Sequence, residues 1–180
     1  IYCDFYGYSM IAKGSARMLG IQIMDNFSSP YLSCSVSEFW RNWHISLTSW
    51  FKDYLYIPLG GSRKGKFRKY LNKLIVFVVS GLWHGAAVKF VIWGFLNGLF
   101  QVIEEVFGLT PKKDSGYIRK AISGVITFVL VVFAWIFFRA DRASLAVYII
   151  DQIFTRFNLS AISIKSFGTY GLSSNALIVL

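Results

Sequence analysis

The cleanest apolar stretch of the chain covers residues 121–138, "AISGVITFVLVVFAWIFF". It contains no charged residue and is flanked by Lys120 and Arg139. A helix of this length rises about 27 Å, which is close to the ~30 Å hydrocarbon core of a bilayer. The pattern therefore predicts a membrane-spanning helix.

A second apolar block covers residues 74–109 and lies between two basic clusters. Its only charged residues are Lys89, Glu104 and Glu105. As one helix it would rise about 50 Å, which is too long for a single crossing. Basic segments at both ends favour the same side of the membrane, so the number of crossings is even. We expect a bent or re-entrant pair of helices with its break near residues 81–85.

His84 falls close to this predicted break. It follows Lys73 by about 16 Å of helix rise, which predicts a position near mid-membrane. Lipid does not tolerate a lone polar side chain at that depth. The imidazole is therefore either satisfied within a packed core or exposed to a water-accessible cavity.

A third apolar pattern occupies residues 35–57. Ser35 and Glu38 have the spacing of a capping box, which predicts the start of a helix. Apolar and aromatic residues then recur every three or four positions, at Trp40, Trp43, His44, Leu47, Trp50, Phe51 and Tyr54. Pro58 and the following glycines end the pattern. We predict one helix with an aromatic stripe at the membrane interface.

The remaining segments carry weaker patterns. Residues 1–20 predict a tucked helix or a half-span, residues 25–35 a loop, and residues 143–157 an amphipathic surface helix. Residues 158–175 predict a loop before a truncated final span. The chain begins with Ile rather than Met and ends in apolar residues, so we treat residues 1–180 as one fragment of a membrane domain, cut at both ends.

The composition agrees with a membrane protein. Hydrophobic residues make up 55% of the 180 residues and charged residues only 16%, against about 25% in soluble domains. The net charge of +10 lies beside apolar spans, where basic residues set orientation and contact lipid. This pattern excludes a nucleic-acid-binding domain. The two cysteines, Cys3 and Cys34, have no metal-ligand or redox spacing.

The candidate chemistry rests on the two histidines, His44 and His84, which both lie in apolar surroundings. A heme or metal site needs supporting carboxylates, and only Glu38 and Asp53 are near in sequence, so we predict no metal site. The GxSxG motif of a serine hydrolase is absent. General base catalysis remains, in which a neutral imidazole takes the proton of a hydroxyl that attacks an acyl group.

Several sequence blocks together resemble a known family. They are "DFYGYSMIAKGSARMLG", "NFSSPY", "SVSEFWRNWHISLTSWFKDYLYIPLGG", "SGLWHGAAVKFVIWGFLNG" and "FAWIFFRAD". They are similar in content and order to the bacterial membrane-bound O-acyltransferases, most closely the alginate O-acetyltransferase branch. The resemblance covers nearly all 180 residues.

The resemblance implies an all-α, polytopic helical bundle around a tunnel in the bacterial inner membrane. It implies that His84 is the catalytic histidine and His44 the second histidine of the bacterial branch. The implied donor is a cytoplasmic acyl-CoA, acetyl-CoA above all, used as a co-substrate with no bound cofactor. The implied acceptor is a hydroxyl of an exported cell-envelope polysaccharide or of a periplasmic partner protein.

The first block departs from the pattern "DFSGYSDMAIG" that is usual in related sequences. Tyr6 stands where Ser is usual, Met10 where Asp is usual, and Lys13 at a typically apolar position. Any role of that aspartate must be filled differently in this chain or be dispensable. The two histidine blocks show no such departure.

The basic segment at residues 60–73 has two interpretations. One is a cytoplasmic loop that sets the orientation and contacts anionic lipid. The other is that its glycines and the side chains of Arg63, Lys64 and Lys66 bind the phosphates of CoA. Two rival functions also stay open. One is D-alanyl transfer to teichoic acid from a carrier protein, and the other is a non-catalytic conduit or scaffold for a periplasmic transferase.

Overall fold

The computed structural model describes residues 1–112 and 114–156, and over those residues the chain forms helices and no β-strand. The α-helices are α1 (Tyr2–Met18), α2 (Val36–Asn42), α3 (Ile45–Phe51), α4 (Gly65–His84), α5 (Val88–Val106), α6 (Tyr117–Arg139) and α7 (Ala143–Thr155). A 3₁₀ turn at Pro30–Leu32 precedes α2, and a π-helical turn at Lys52–Tyr56 follows α3. The predicted all-α class is confirmed.

Helices α4 and α5 form the most extensively packed pair, an antiparallel hairpin. The connection is residues 85–87, at the C-terminal margin of the break that the sequence predicts. The helices rise about 30 Å and about 28 Å, lengths close to the thickness of a bilayer core. The predicted helix pair is therefore confirmed as a hairpin, and Gly81 lies inside α4 rather than at the break.

Glycines let the backbones of these two helices touch. A Cβ added at Gly81 of α4 would lie 2.2 Å from the carbonyl oxygen of Phe90. A Cβ at Gly94 of α5 would lie 2.2 Å from the carbonyl oxygen of Phe77. Small residues at a helix interface are typical of packing inside membranes, where close backbone approach maximises van der Waals contact.

The prediction of one helix over residues 35–57 is wrong. Helix α2 ends at Asn42, Trp43 is extended, and His44 adopts a left-handed conformation before α3 begins. The segment breaks because Phe27 pairs with Trp43 in an isolated antiparallel bridge, which draws residue 43 out of the helix. Tertiary pairing thus overrides the helical periodicity of the aromatic residues.

The predicted capping box at the start of α2 is confirmed. The Glu38 backbone N–H donates to Ser35 Oγ at 3.0 Å, and the Glu38 carboxylate accepts from the Cys34 N–H at 2.8 Å. Helix α2 packs its Val36, Phe39 and Trp40 face into a buried aromatic and aliphatic core. That core is completed by residues of α5 and α6, namely Trp93, Val131, Ala134 and Phe137.

A buried polar ladder on α5 holds α2 in place. Trp40 Nε1 donates to Asn97 Oδ1 at 3.0 Å, and Ser37 Oγ bonds Gln101 Oε1 at 3.2 Å. The Glu104 carboxylate accepts the backbone N–H groups of Val36, at 2.7 Å, and of Ser37, at 3.3 Å. These donors are among the first N–H groups of α2, which have no partner within the helix. In the sequence Glu104 stands out only as a charge, and no local pattern predicts this contact.

Helix α6 coincides with the helix predicted at residues 121–138. Among the described residues it is the one helix that is long and apolar enough, by length and composition, to cross a membrane. Helix α7 matches the amphipathic segment that begins at residue 143. The end of that segment at residue 157, the loop at residues 158–175 and the final apolar residues lie outside the described part of the chain.

The basic segment at residues 60–73 is a loop only in its first part. Turns occupy residues 60–64, and α4 begins at Gly65, so the later cations lie on its first turns. Two of them, Lys69 and Lys73, pair with the carboxylate of Glu105 on α5. These ion pairs join α4 and α5 at the end of the hairpin away from its connection. The expectation of a basic loop over residues 60–73 is therefore wrong for residues 65–73, which are helical.

The substitution Gly94→Ala tests the close packing of the hairpin. The new Cβ meets backbone rather than a flexible side chain, so the helices must separate. Overpacking of this kind costs about 1–3 kcal/mol. We expect a lower midpoint of thermal unfolding for the variant in detergent.

The control for this variant is Gly124→Ala on α6. Its Cβ would have the Ser33 carbonyl oxygen, 3.8 Å away, as its nearest neighbour, which is an ordinary contact. An unchanged or higher midpoint is expected, because alanine favours helix over glycine by about 1 kcal/mol. Equal midpoints for Gly94→Ala and Gly124→Ala would contradict the packing described.

Candidate functional site

The two histidines, forty positions apart in sequence, line one cavity of about 280 Å³. We name it the histidine cavity. Its walls come from α1 to α6, and they are mostly aromatic: Phe5, Trp40, Trp43, Phe51, Phe77, Trp93, Trp135 and Phe138. Besides the histidines, its polar side chains include Thr48 and Ser80. A largely apolar chamber with few polar groups is typical of a small-molecule site.

His84 is the last residue of α4, and its ring is enclosed by aromatic side chains. Its imidazole makes edge-to-face contacts with Trp93 at 5.2 Å and Phe138 at 5.1 Å between ring centroids. Trp83 makes a similar contact at 4.9 Å. Ser80, one helical turn earlier, reaches the same cavity. These rings restrict the orientation of the imidazole, which still lines the histidine cavity.

His44 lies between α2 and α3, each of which is only seven residues, or about 10 Å, long and so does not span a membrane. Its backbone has φ 46° and ψ 53°, a left-handed conformation that is unusual for a residue other than glycine. Its ring contacts Phe5 edge-to-face at 4.7 Å. Among the described residues, its buried Nδ1 atom has no hydrogen-bond partner.

Burial, with a smaller contribution from the nearby His84, lowers the pKa of the His44 imidazole to about 4. The side chain is therefore neutral at physiological pH. In this form one ring nitrogen carries a hydrogen and the other accepts a hydrogen bond.

A second cavity of about 470 Å³ adjoins the histidine cavity and shares the walls Trp40, Thr48 and Phe77 with it. We name it the basic cavity. Its cations are Arg41, Lys52, Lys69 and Lys73, accompanied by the carboxylate of Glu105. Several cations around one cavity favour an anionic ligand, such as a phosphate group.

A third cavity, of about 560 Å³, lies beside α1 and shares Phe5 and His44 with the histidine cavity. We name it the α1 cavity. Tyr6, Met10 and Lys13, the three positions that depart from the related pattern, all line it. Lys13 forms an ion pair there with Asp25. This chain therefore has a carboxylate in this region that comes from the loop after α1 and not from position 10.

The other residues that the sequence singled out lie away from the histidines. Arg63, Lys64 and Lys66 are exposed and line none of the three cavities. Of the tryptophans, Trp40 and Trp43 are buried, whereas Trp50 and Trp83 are about half exposed. Cys3 and Cys34 are free thiols. Within residues 1–112 and 114–156, no three His, Cys, Asp or Glu side chains cluster as metal ligands would.

The structure places Asn26 and Ser80, two residues that the sequence pattern does not single out, beside the histidines. Ser80 precedes His84 by four residues, the spacing that puts two side chains on one helix face, so the signal was available. Asn26 was interpreted only as a loop residue. Its hydrogen bonds to residues 45 and 46 link it to the His44 segment, and no local pattern predicts them.

Comparison with known proteins gives a consistent result. The sequence model of the membrane-bound O-acyltransferase family matches residues 1–140. A relative named probable alginate O-acetylase AlgI, from Pseudomonas aeruginosa, is 41% identical over 96% of this chain and 31% of its own length.

Two further relatives carry other names. The peptidoglycan O-acetyltransferase of Helicobacter pylori is 38% identical over 83% of this chain and 28% of its own length. The teichoic acid D-alanyltransferase of Bacillus subtilis is 30% identical over 77% of this chain and 38% of its own length. The chain thus spans about a third of the length of the curated relatives it matches.

The lowered pKa of His44 makes the stability of the protein sensitive to acid. Between the unfolded pKa near 6.5 and the folded pKa of about 4, the unfolded chain binds a proton that the folded chain excludes. The free energy of unfolding therefore falls as pH drops through this window. Above pH 6.5, His44 adds no pH dependence to it.

We expect His44→Gln to lose less stability than the wild type between pH 6.5 and pH 4, as measured by thermal unfolding in detergent. Glutamine keeps a polar side chain of similar size and does not titrate. Parallel curves for the two proteins would show that His44 is not held neutral.

Proposed function

This chain belongs to the membrane-bound O-acyltransferase family, and from that premise we propose that it is part of an acetyltransferase of the bacterial inner membrane. In this proposal a multi-pass protein moves the acetyl group of cytoplasmic acetyl-CoA to a hydroxyl. The hydroxyl belongs to an exported cell-envelope polysaccharide, or to a periplasmic partner protein that passes the group on. The names of the relatives at 38–45% identity support acetyl transfer to a cell-envelope polysaccharide.

The observation that carries the proposal is the meeting of His84 and His44 in one largely apolar cavity. In the reaction, a neutral His84 takes the proton of the acceptor hydroxyl while its oxygen attacks the thioester carbonyl. The carbon–sulfur bond breaks, the thiolate leaves, and the proton on His84 passes to it to give free CoA. The products are an ester and a thiol, and no covalent enzyme intermediate is needed.

The aromatic walls have two consequences for this reaction. They exclude most water, which competes with the acceptor hydroxyl for the thioester. They also hold the ring of His84 in a fixed orientation through its contacts with Trp93 and Phe138. His44, which is neutral and lines the same cavity, orients the hydroxyl or shares its proton.

In this proposal the donor and the acceptor each enter through a different one of the two cavities that adjoin the histidine cavity. In the proposal the CoA phosphates bind in the basic cavity, and the thioester arm passes Trp40, Thr48 and Phe77 to reach the histidines. The acceptor arrives through the α1 cavity, past Phe5 and His44. Arg63, Lys64 and Lys66 stay predicted phosphate contacts, at the exposed turn that precedes α4.

A second candidate function is D-alanyl transfer to teichoic acid from a carrier protein. The relatives named teichoic acid D-alanyltransferases support it, but they are only 30% identical to this chain. The relatives named alginate O-acetylases are 40–45% identical, so acetyl transfer is the preferred proposal. A non-catalytic conduit is the remaining rival, and it needs no reactive histidine.

Replacing His84 tests the base assignment. In inner-membrane vesicles given radiolabelled acetyl-CoA, we expect His84→Ala and His84→Gln to reduce acetyl transfer by about 10²–10⁴-fold, the usual contribution of a general base. His84→Gln guards against a packing effect, because it retains most of the side-chain volume. Both variants must accumulate to wild-type levels in the membrane.

Normal transfer by His84→Gln would overturn the base assignment and support the conduit. Transfer that wild-type vesicles perform only when given a charged carrier protein, and not with acetyl-CoA, would support the D-alanyl candidate instead.

Removing cations tests the route of the donor. We expect Lys52→Ala in the basic cavity to raise the KM for acetyl-CoA by about tenfold with little change in kcat, because a hydrogen bond to a charged group contributes about 1.5–3 kcal/mol. The joint replacement of Arg63, Lys64 and Lys66 by alanine is measured beside it. A raised KM for acetyl-CoA in the triple variant alone would indicate that the phosphates bind at the turn before α4. No increase for either would refute both sites.

A further inference from the structure

The segment around His44 is held by hydrogen bonds from a loop that precedes it by about eighteen residues. The Asn26 carbonyl oxygen accepts the Ile45 N–H at 3.0 Å. The Asn26 side-chain oxygen Oδ1 accepts both the Ser46 N–H at 3.1 Å and the Ser46 hydroxyl at 2.6 Å. Asn26 thus bonds both residues that follow His44.

The same loop also holds the residues before His44. The Ser28 N–H donates to the Asn42 carbonyl oxygen at 3.0 Å, and Phe27 lies opposite Trp43 in the isolated antiparallel bridge. Residues 26–28 therefore fix the backbone on both sides of His44. A left-handed non-glycine residue costs about 1–3 kcal/mol, and it persists only where the surroundings determine it in this way.

The bonds from Asn26 have a second effect, on the imidazole itself. His44 is the N-cap residue of α3, the position whose side chain ordinarily accepts one of the first free N–H groups of a helix. Here the N–H groups of Ile45 and Ser46 are already bonded to Asn26, and the His44 side chain makes no cap hydrogen bond. The ring nitrogen Nδ1 has no hydrogen-bond partner among the described residues.

We propose that Asn26 is a positioning residue, which caps α3 in place of His44 and holds the His44 imidazole free in the histidine cavity. The inference rests on the proposed function, because it assigns Asn26 its effect on acetyl transfer through His44. It also gives a reason for the hydrogen bonds between residues 26–28, in the loop after α1, and the residues on either side of His44. Without Asn26, His44 can relax from its left-handed conformation, and its ring can leave the histidine cavity.

The test compares Asn26→Ala, which removes Oδ1 but keeps the backbone bond, with the conservative Asn26→Asp, which keeps acceptor oxygens for Ser46. Ser28→Ala is the matched control, because its exposed side chain changes while its backbone bond to Asn42 is kept. Ser46→Ala, which removes only the hydroxyl bond, serves if Asn26→Ala does not fold.

The first readout does not depend on activity. In the intact protein with ¹³C-labelled histidine, the His44 ring signal is assigned by its loss in His44→Ala and titrated by NMR. We expect Asn26→Ala to raise the His44 pKa from about 4 towards 6.5, as the ring leaves its buried position, with a smaller change in the same direction for Ser46→Ala. Ser28→Ala should titrate like the wild type. Asn26→Asp adds a carboxylate near the ring, which by itself raises the pKa of His44, so this variant is compared by kcat alone. An unchanged His44 titration in both Asn26→Ala and Ser46→Ala would overturn the inference.

The second readout is acetyl transfer by the same proteins. We expect Asn26→Ala to lower kcat about tenfold while the KM for acetyl-CoA changes less than twofold, and Asn26→Asp to restore most of kcat. A raised KM for the acceptor with kcat intact would overturn the inference and make Asn26 a substrate contact in the α1 cavity, which it also lines. If Asn26→Ala shifts the His44 titration but the wild type itself transfers no acetyl group, the positioning role is supported. That result would count against the proposed function alone.

Discussion

The arrangement of the site depends on the backbone contact between α4 and α5. Glycines at positions 81 and 94 let each helix press against a carbonyl oxygen of the other, so the two axes cannot shift apart or slide without losing contact. This contact fixes the end of α4, and therefore His84, beside Trp93 of α5. It also presents one face of α5 to α2, where the polar ladder holds the short helix that leads to His44.

The two histidines reach the same cavity by different physical means. His84 is placed by regular structure, at the end of a long helix whose packing is set by glycines and aromatic rings. His44 is placed by an irregular, strained backbone that hydrogen bonds from a distant loop maintain. Strain that is kept at a chemically reactive side chain is typical of functional sites, because relaxed alternatives would turn the side chain away.

The sequence was informative wherever local pattern decides structure. The apolar helix α6, the capping box at Ser35 and the helical hairpin follow from hydropathy, cap chemistry and charge, and the structure agrees with each. The break at His44 could not be predicted, because it arises from pairing with residues 26–28 while the aromatic periodicity runs through it. The role of Glu104 was hidden for the same reason: its partners on α2 are 67–68 residues away.

The candidate site was predicted in its residue types but not in its surroundings. His44 and His84 stood out because polar residues are costly in apolar segments, and the resemblance assigned them chemistry. The adjoining basic cavity combines Arg41 and Lys52 with two lysines of α4, and no single stretch of sequence contains them together. Proximity of this kind is a property of the packed helices alone.

The most direct test of the account is a cryo-EM structure of the intact protein bound to a thioether analogue of acetyl-CoA, which cannot transfer its acyl group. We expect the acyl group to lie in the histidine cavity, at a distance from His84 that leaves room for one hydroxyl group between them. We also expect His44 to face the same space. An acyl group bound outside this cavity, or histidines that line separate cavities, would contradict it.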